Sequence, residues 1–343
     1  MGMMGVKIAG MGWVTPLGAG LDEVWSRLES GERPIAREME SPHSTKTHMA
    51  FTVPASTVEA LGRNPRLRRS SVITYYAVAA ALAALEDAGI TMTPELAERT
   101  AVIFAACSGP VVYTRKFYET IVMQGANNAS PLLFPETVYN APASHLAALL
   151  GVTGSSYTLV GDGTVGISAL KFAEQLLATG AVDRCVVAAG EELDWILCEA
   201  YREWRFPVTL GEAGAAVVLT REGTQGRLDA IHDGITFFRQ SQAPAAIRQV
   251  HCDFAARWAT PDLIVGCGDG TFVDVAESAA IAEFFPRVPV VYPKRTLGES
   301  LGAGALVQLV HGALAMRKRK LNNVIVSALG FNQQASGVLL TKL

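Results

Sequence analysis

The sequence predicts an α/β fold made of two similar halves. Short apolar runs rich in valine, isoleucine and alanine alternate with longer runs of helical character. Two segments share one layout. In GTVGISALKFAEQLLATGAVDRCVVAAGEE a glycine turn opens a helix that ends in a polar loop and a strand, and GESLGAGALVQLVHGALAMRKRKLNNVIVSALGF repeats that order near the C-terminus. Half of the 343 residues are hydrophobic and 18% are charged, which suffices to bury a large core.

The elements follow in order. VKIAG (6–10) reads as a strand, a helix lies within 70–89, and TAVIFAA (100–106) is a buried strand. A helix around 142–150 leads to the strand YTLV (157–160), a helix at 164–179, and the strands RCVVAAG (184–190) and AAVVLT (215–220). The polar stretch 221–227 is the best boundary, so residues 1–222 form a first half and 223–343 a second. The second series holds DLIVG (262–266), a helix at 274–284, VPVVYP (288–293), a helix at 300–317, NVIVSALGF (323–331) and SGVLLTKL.

Charge excludes several classes of partner. With 29 basic and 32 acidic residues the net charge is -3, too small a field to gather nucleic acid or an acidic membrane surface. The run Arg317 to Lys320 follows an apolar helix and suits its C-terminal dipole. Five cysteines, Cys107, Cys185, Cys198, Cys252 and Cys267, lack CxxC spacing, and four lie in surroundings typical of buried, reduced thiols, so neither zinc nor disulfides are expected. No signal-like start and no uninterrupted apolar run of about 18 residues is found, and a cytoplasmic chain without cofactor is expected.

YTLVGDGTVGISALKFAEQLL (157–177) poses the functional question. Gly161, Gly163 and Gly166 have the spacing of a dinucleotide fingerprint, and Glu191 nearly supplies its acidic residue. That fingerprint belongs on the first strand of a sheet, whereas several βα units precede this one, which favours a structural turn.

The order of motifs carries a resemblance that covers nearly the whole chain. KIAGMGWVTPLGAGLDEVWSRLESGERPI, YYAVAAALAALEDAGI, FPETVYNAPASHLAALLGVTGSSYTL, TLGEAGAAVVLTRE and SALGFNQQASGVLL together resemble the β-ketoacyl-acyl-carrier-protein synthases of the thiolase fold. The resemblance implies a layered α/β/α/β/α arrangement of two duplicated βαβ-rich halves. It also implies a cysteine nucleophile at a helix N-terminus and two histidines that help decarboxylate malonyl carrier protein. Registering on EQLLATGAVDRCVVAAGEE puts Gly163 at the cysteine position, or Asp162 if the turn is one residue longer. Cys267 in CGDGTFVDVAES stands at the first histidine and Glu299 in KRTLGESLGAG at the second, while Lys294, Asp274 and Glu277 persist.

Two cysteines invite a displaced nucleophile. Cys267 closes a strand, but none of the six histidines (43, 48, 145, 232, 251, 311) is locally placed to activate it, and an inert thiol is favoured. Cys107, in FAACSGP, closes a strand in the same way. Glu299 is expected to be a dipole-favoured group paired with Lys294.

The changed positions resemble those of a chain-length factor, the ketosynthase homologue that lacks the cysteine in type II polyketide and aryl polyene systems. The resemblance implies an active ketosynthase as heterodimer partner, joined through the strand at 157–160, with acyl carrier protein reached through the complex. It implies that bulky residues close the partner's tunnel: Pro110, Tyr113 and Phe117, with Met123 and Phe134 further along, although the same aromatics also suit ordinary dimer packing. Phe331 resembles the gatekeeping phenylalanine of active members, and Asn332, Gln333 and Gln334 replace the small residues that let that loop swing. The segment 227–262 is short where those enzymes carry part of the pocket cap. The alternative is a thiolase-fold hydrolase or decarboxylase that uses Cys267, Glu299 or Asp162.

Overall fold

A computed structural model describes residues 6–343 except 44, 205, 207, 258–259, 269 and 332–333. The first half runs β1 (Val6–Thr15), β2 (Gly18–Ala19), α1 (Leu21–Glu29), the hairpin β3 (Ala36–Glu40) and β4 (Thr47–Phe51), α2 (Val72–Asp87), α3 (Pro94–Glu98), β5 (Thr100–Ala106) and α4 (Val111–Gln124). It continues with α5 (Ala141–Leu150), β6 (Ser156–Val160), α6 (Val165–Thr179), β7 (Arg184–Glu191), α7 (Trp195–Glu203) and β8 (Ala213–Thr220). The second half holds β9 (Gly226–Ile231), β10 (Ile235–Thr236), α8 (Ala243–Arg257), β11 (Leu263–Val265), α9 (Phe272–Phe284), β12 (Val290–Val291), α10 (Lys294–Leu297), α11 (Leu301–Arg319), β13 (Asn323–Leu329) and β14 (Gln334–Thr341).

The strand order repeats along the sheet. The sheet runs β12-β11-β13-β14-β9-β1-β8-β7-β5-β6. Numbered within its own half, each set of five main strands lies in the order third, second, fourth, fifth, first. The pairings agree too: β5 is parallel to β6 and β7 as β11 is to β12 and β13, while β8 and β14 run antiparallel to both neighbours. The antiparallel pair β1 and β9 joins the halves.

Strand alternation sorts side chains into layers. On β5, Ala101, Ile103 and Ala105 face the central helices α6 and α11, while Val102, Phe104 and Ala106 face α2 and α5. A third core packs α8 and α9 on the outer face of the second half, through Ile247, Val250, Phe254, Val273 and Ile281. Helix pairs thus cover both outer faces and fill the middle. Close approach sets the first layer: a Cβ on Gly10 or Gly12 of β1 would strike the Ala84 or Ala80 carbonyl of α2.

Several elements lay outside the sequence expectation. β1 extends to Thr15, and the β3–β4 hairpin, α4, α7 and α8 carry no apolar pattern strong enough to announce them. α4 has no buried residue at all, so the 3.6-residue stripe that marks a core-facing helix is missing. The basic run in the last turn of α11 also ties α1 down, through Lys318 to Asp22 at 2.7 Å and Arg319 to Glu29 at 2.7 Å. No described helix is long and apolar enough to cross a membrane.

Candidate functional site

The ends of β5, β7, β11 and β13 and the N-termini of α6 and α11 converge, because parallel strands in both halves deliver their C-terminal ends to one place. The Leu329 carbonyl at the end of β13 lies at the centre. Cys267, just beyond β11, points its thiol at that oxygen across 3.7 Å, and a Cβ built on Gly163 would come within 3.0 Å of it. The expected nucleophile position and the expected first histidine position therefore do meet.

Cys267, Lys294 and Glu299 form a buried chain. Lys294 Nζ donates to Glu299 Oε2 at 2.8 Å and lies 3.3 Å from Cys267 Sγ, and the lysine and glutamate side chains are only 2% and 3% exposed. Glu299 Oε1 also accepts from the Leu301 amide at 2.7 Å, at the start of α11. Leu301 itself has φ +44°, a left-handed conformation costly for a leucine, and this turns the chain back over Glu299. The group beside Cys267 is thus a lysine rather than any histidine. Glu277, retained as expected, accepts from the Cys267 amide at 2.9 Å, and Asp274 pairs with Arg295 at 3.4 Å.

A second cluster sits beside the first. The Glu191 carboxyl, at the end of β7, accepts from the amides of Cys107 and Ser108, the Ser108 contacts being 3.2 Å. Burial pushes its pKa up to about 8 despite those donors. Its neighbour Glu192 accepts from Ser71 Oγ and from the Ile73 and Val112 amides, and burial pushes it up to about 7. The Cys107 thiol is pushed up to about 12, chiefly by burial and then by Glu191. It is a neutral thiol near pH 7 and a poor nucleophile.

The glycine turn is held by local contacts. Asp162 accepts from the Thr164 amide at 3.1 Å and hydroxyl at 2.9 Å, Thr164 Oγ1 reaches Gln334 Oε1 at 3.0 Å, and Gly166 packs against Ala305 and Leu306 of α11. Asp162 Oδ2 is buried without a partner and presses on Gly330. Phe331 stacks on Phe206 with centroids 4.8 Å apart and meets the edge of Tyr201 at 5.9 Å. Asn332 and Gln333, expected to stiffen that loop, lie outside the described residues. Of the tunnel candidates, Pro110 is buried just before α4, Tyr113 and Phe117 are half-buried on it, and Phe117 packs against Phe134 with centroids 5.6 Å apart.

The expectation for the cysteines changes. Only Cys185, Cys198 and Cys267 are buried among the five cysteines, since Cys107 and Cys252 are partly exposed. Sequence reasoning noticed Glu191 as an imperfect ribose ligand and missed its bonds to the main chain, and it missed Glu192, Tyr201 and Phe206. An adjacent acidic pair closing an apolar strand, as in AAGEELDW, is the signal that could have found the two glutamates.

Two openings flank the site. A cleft of about 510 Å³ lies between β4 and α7, lined by His48, Met49, Cys198, Tyr201, Phe206 and Leu210. A more apolar groove of about 600 Å³ runs along α4, lined by Val111, Tyr118, Val122, Met123, Trp195 and Ile196.

The layers, buried parallel strand ends and central helix pair are those of the thiolase-like fold. Residues 3–209 match the family described as Beta-ketoacyl synthase, N-terminal domain, and the chain belongs to the β-ketoacyl synthase family. The 3-oxoacyl-[acyl-carrier-protein] synthase 2 of Vibrio cholerae is 25% identical over 188 residues, covering 54% of this chain and 45% of that protein, so the match spans less than half of the relative. The ketoacyl synthase beta subunit of the tetracenomycin polyketide synthase of Streptomyces glaucescens is 24% identical over 350 residues, 91% of this chain and 85% of that one. Among solved structures, the ishigamide ketosynthase/chain length factor superposes with a TM-score of 0.84 at 19% identity, covering 99% of this chain and 100% of that one. A ketosynthase (ApeO) in complex with its chain length factor (ApeC) from Xenorhabdus doucetiae gives 0.76 at 19% identity over 99% and 98%. Similarity at that identity establishes the fold.

Proposed function

We propose that this chain is a non-catalytic ketosynthase homologue that pairs with an active β-ketoacyl synthase and sets acyl or polyketide chain length by closing the partner's tunnel. One observation carries the reading: at the N-terminus of α6, where the family's thioester would form, Gly163 faces the Leu329 carbonyl and offers no side chain. The neighbouring thiols do not compensate. Cys107 is held neutral, and Cys267 is enclosed with Lys294.

Two surfaces support the pairing. β6 is an edge strand of the sheet, with Tyr157 37% and Val160 56% exposed. α4 presents Val122 at 79% and Met123 at 71% exposure. Unpaired strand edges and apolar patches of this kind are covered by partners in folded proteins. That similar solved structures include a ketosynthase bound to its chain length factor, and a type II acyl-carrier protein in complex with its ketosynthase, favours those two partners. The exposed arginines 63, 66, 68 and 69, just before α2, suit an acidic carrier surface.

The test is co-expression with an intact ketosynthase. A one-to-one complex is expected, and in it Tyr113→Ala or Phe117→Ala should shift the product towards longer chains, read by mass spectrometry. An unchanged product distribution for both variants counts against the steric role.

A second reading draws on the 3.3 Å approach of Lys294 to Cys267: a hydrolase or decarboxylase working through Cys267, Glu299 or Asp162. Acylation of Cys267 in the chain purified alone would favour it.

A further inference from the structure

We propose that Cys267 and Lys294 form an oxidative modification site: dioxygen joins the two side chains through a single oxygen atom, sulfur to oxygen to nitrogen, and so staples the end of β11 to α10. The inference goes beyond the pairing reading and does not rest on it.

The fold brings the two reacting atoms together before any oxidant arrives. Lys294 Nζ lies 3.3 Å from Cys267 Sγ, too far for a direct bond and near enough for one bridging atom. Each partner is held from another side. The Cys267 amide donates to both Glu277 oxygens, at 3.1 and 2.9 Å, and Lys294 Nζ donates to Glu299 Oε2 at 2.8 Å. A Cβ added to Gly304 of α11 would come within 3.2 Å of Nζ, so the ammonium has little room to swing away from the thiol.

The surroundings select both the oxidant and the product. Cys267 is 0% exposed and sits in an apolar core with Ile264, Val273, Leu301, Leu329 and Phe331. Dioxygen is small and apolar, and it enters such a core more readily than a hydrated oxidant does, as apolar gases enter dry cavities. A thiol at the surface would climb the oxidation ladder or condense with a second thiol. Here the group within reach is an amine, and all five cysteines are unbridged.

In the reaction the thiol S–H bond and two ammonium N–H bonds break, one S–O and one N–O bond form, and the O–O bond of dioxygen is cleaved. Sulfur and nitrogen are each oxidised by two electrons, and dioxygen takes all four: one of its atoms becomes the bridge and the other leaves as water. That water carries away the thiol hydrogen and one ammonium hydrogen, and the Glu299 carboxylate takes the remaining proton across its existing hydrogen bond. The bridge removes the Lys294 charge, and a protonated Glu299 needs no counter-cation.

The experiment is intact-mass spectrometry of the chain, alone or in its co-expressed complex, after incubation in air-saturated and in oxygen-free buffer. The air-exposed wild-type chain should gain about 14 Da, one oxygen less two hydrogens, and dithiothreitol should reverse the gain. Trypsin without reductant should then release residues 258–287 still joined to 288–295, because a lysine whose nitrogen carries oxygen is not cleaved. Cys267→Ser and Lys294→Arg should each lose the gain. Cys267→Ser changes a single atom, so the control stands even if Lys294→Arg does not fold. A wild-type mass unchanged by air, a gain of whole oxygens without loss of hydrogen, or the same gain surviving in Cys267→Ser overturns the proposal. None of these results touches the pairing reading, which fails separately if no complex forms with a ketosynthase.

Discussion

Lys294 and Glu299 are both almost fully buried, and each is the other's compensating charge. Lys294→Met leaves a buried carboxylate without its cation and should cost about 3–5 kcal/mol in chemical denaturation. Adding Glu299→Gln removes the stranded charge while keeping an acceptor for the Leu301 amide, and should recover more than half of that loss. Gly163→Cys tests the neighbouring position. Its Cβ would press on the Leu329 carbonyl, and no imidazole stands at Cys267 or Glu299 to help. Acyl transfer from a carrier protein followed by malonyl extension should therefore yield no product. The expectation that Gly163, Cys267 and Glu299 stand at the reactive positions rests on motif order alone. The bonds of Glu191 were not legible, because they come from the amides of residues 107 and 108, and backbone donors leave no trace in residue identity.

At the scale of elements, β6 and α4 carry the proposed interaction surface. Strand β6 was readable from its β-branched and aromatic run, but its place at the sheet edge was not, since that depends on which strand pairs with β5. Val160→Glu puts a charge on that edge and should abolish the one-to-one complex on size-exclusion chromatography while leaving the fold's circular dichroism unchanged. Retention of the complex would move the interface away from β6. Helix α4 escaped sequence reading for a related reason. A helix that buries no face within its own chain has no reason to show a core-facing stripe, and its apolar residues read as noise until the groove with Trp195 and Ile196 is seen.

The whole molecule carries a pH signature. Glu191, Glu192 and Glu212 all have raised pKa values in the folded state, the first two at about 8 and about 7. Between pH 4.5 and 8 the folded chain therefore holds more protons at these groups than the unfolded chain, and their contribution to stability falls as pH rises through that window. Buried His311 has the opposite sign. Burial lowers it to about 4, so its contribution falls as pH drops below 6.5. Stability should be greatest in mildly acidic solution, and Glu191→Gln should flatten the alkaline loss between pH 6 and 8.5 by on the order of a few kcal/mol, measured by denaturant midpoints.

The sequence by itself determined the α/β class and the repeated glycine turn, helix and strand layout, and its motif order put Gly163, Cys267 and Glu299 at the expected reactive positions, because periodicity, turn chemistry and motif order are local properties of a chain. Only the tertiary structure decided that Cys267 sits beside a lysine, that Glu191 accepts from the amides of residues 107 and 108, and that one strand edge and one helix lie open. Those facts depend on which distant strand ends and helix starts are brought within a few ångströms of each other, and packing sets that distance.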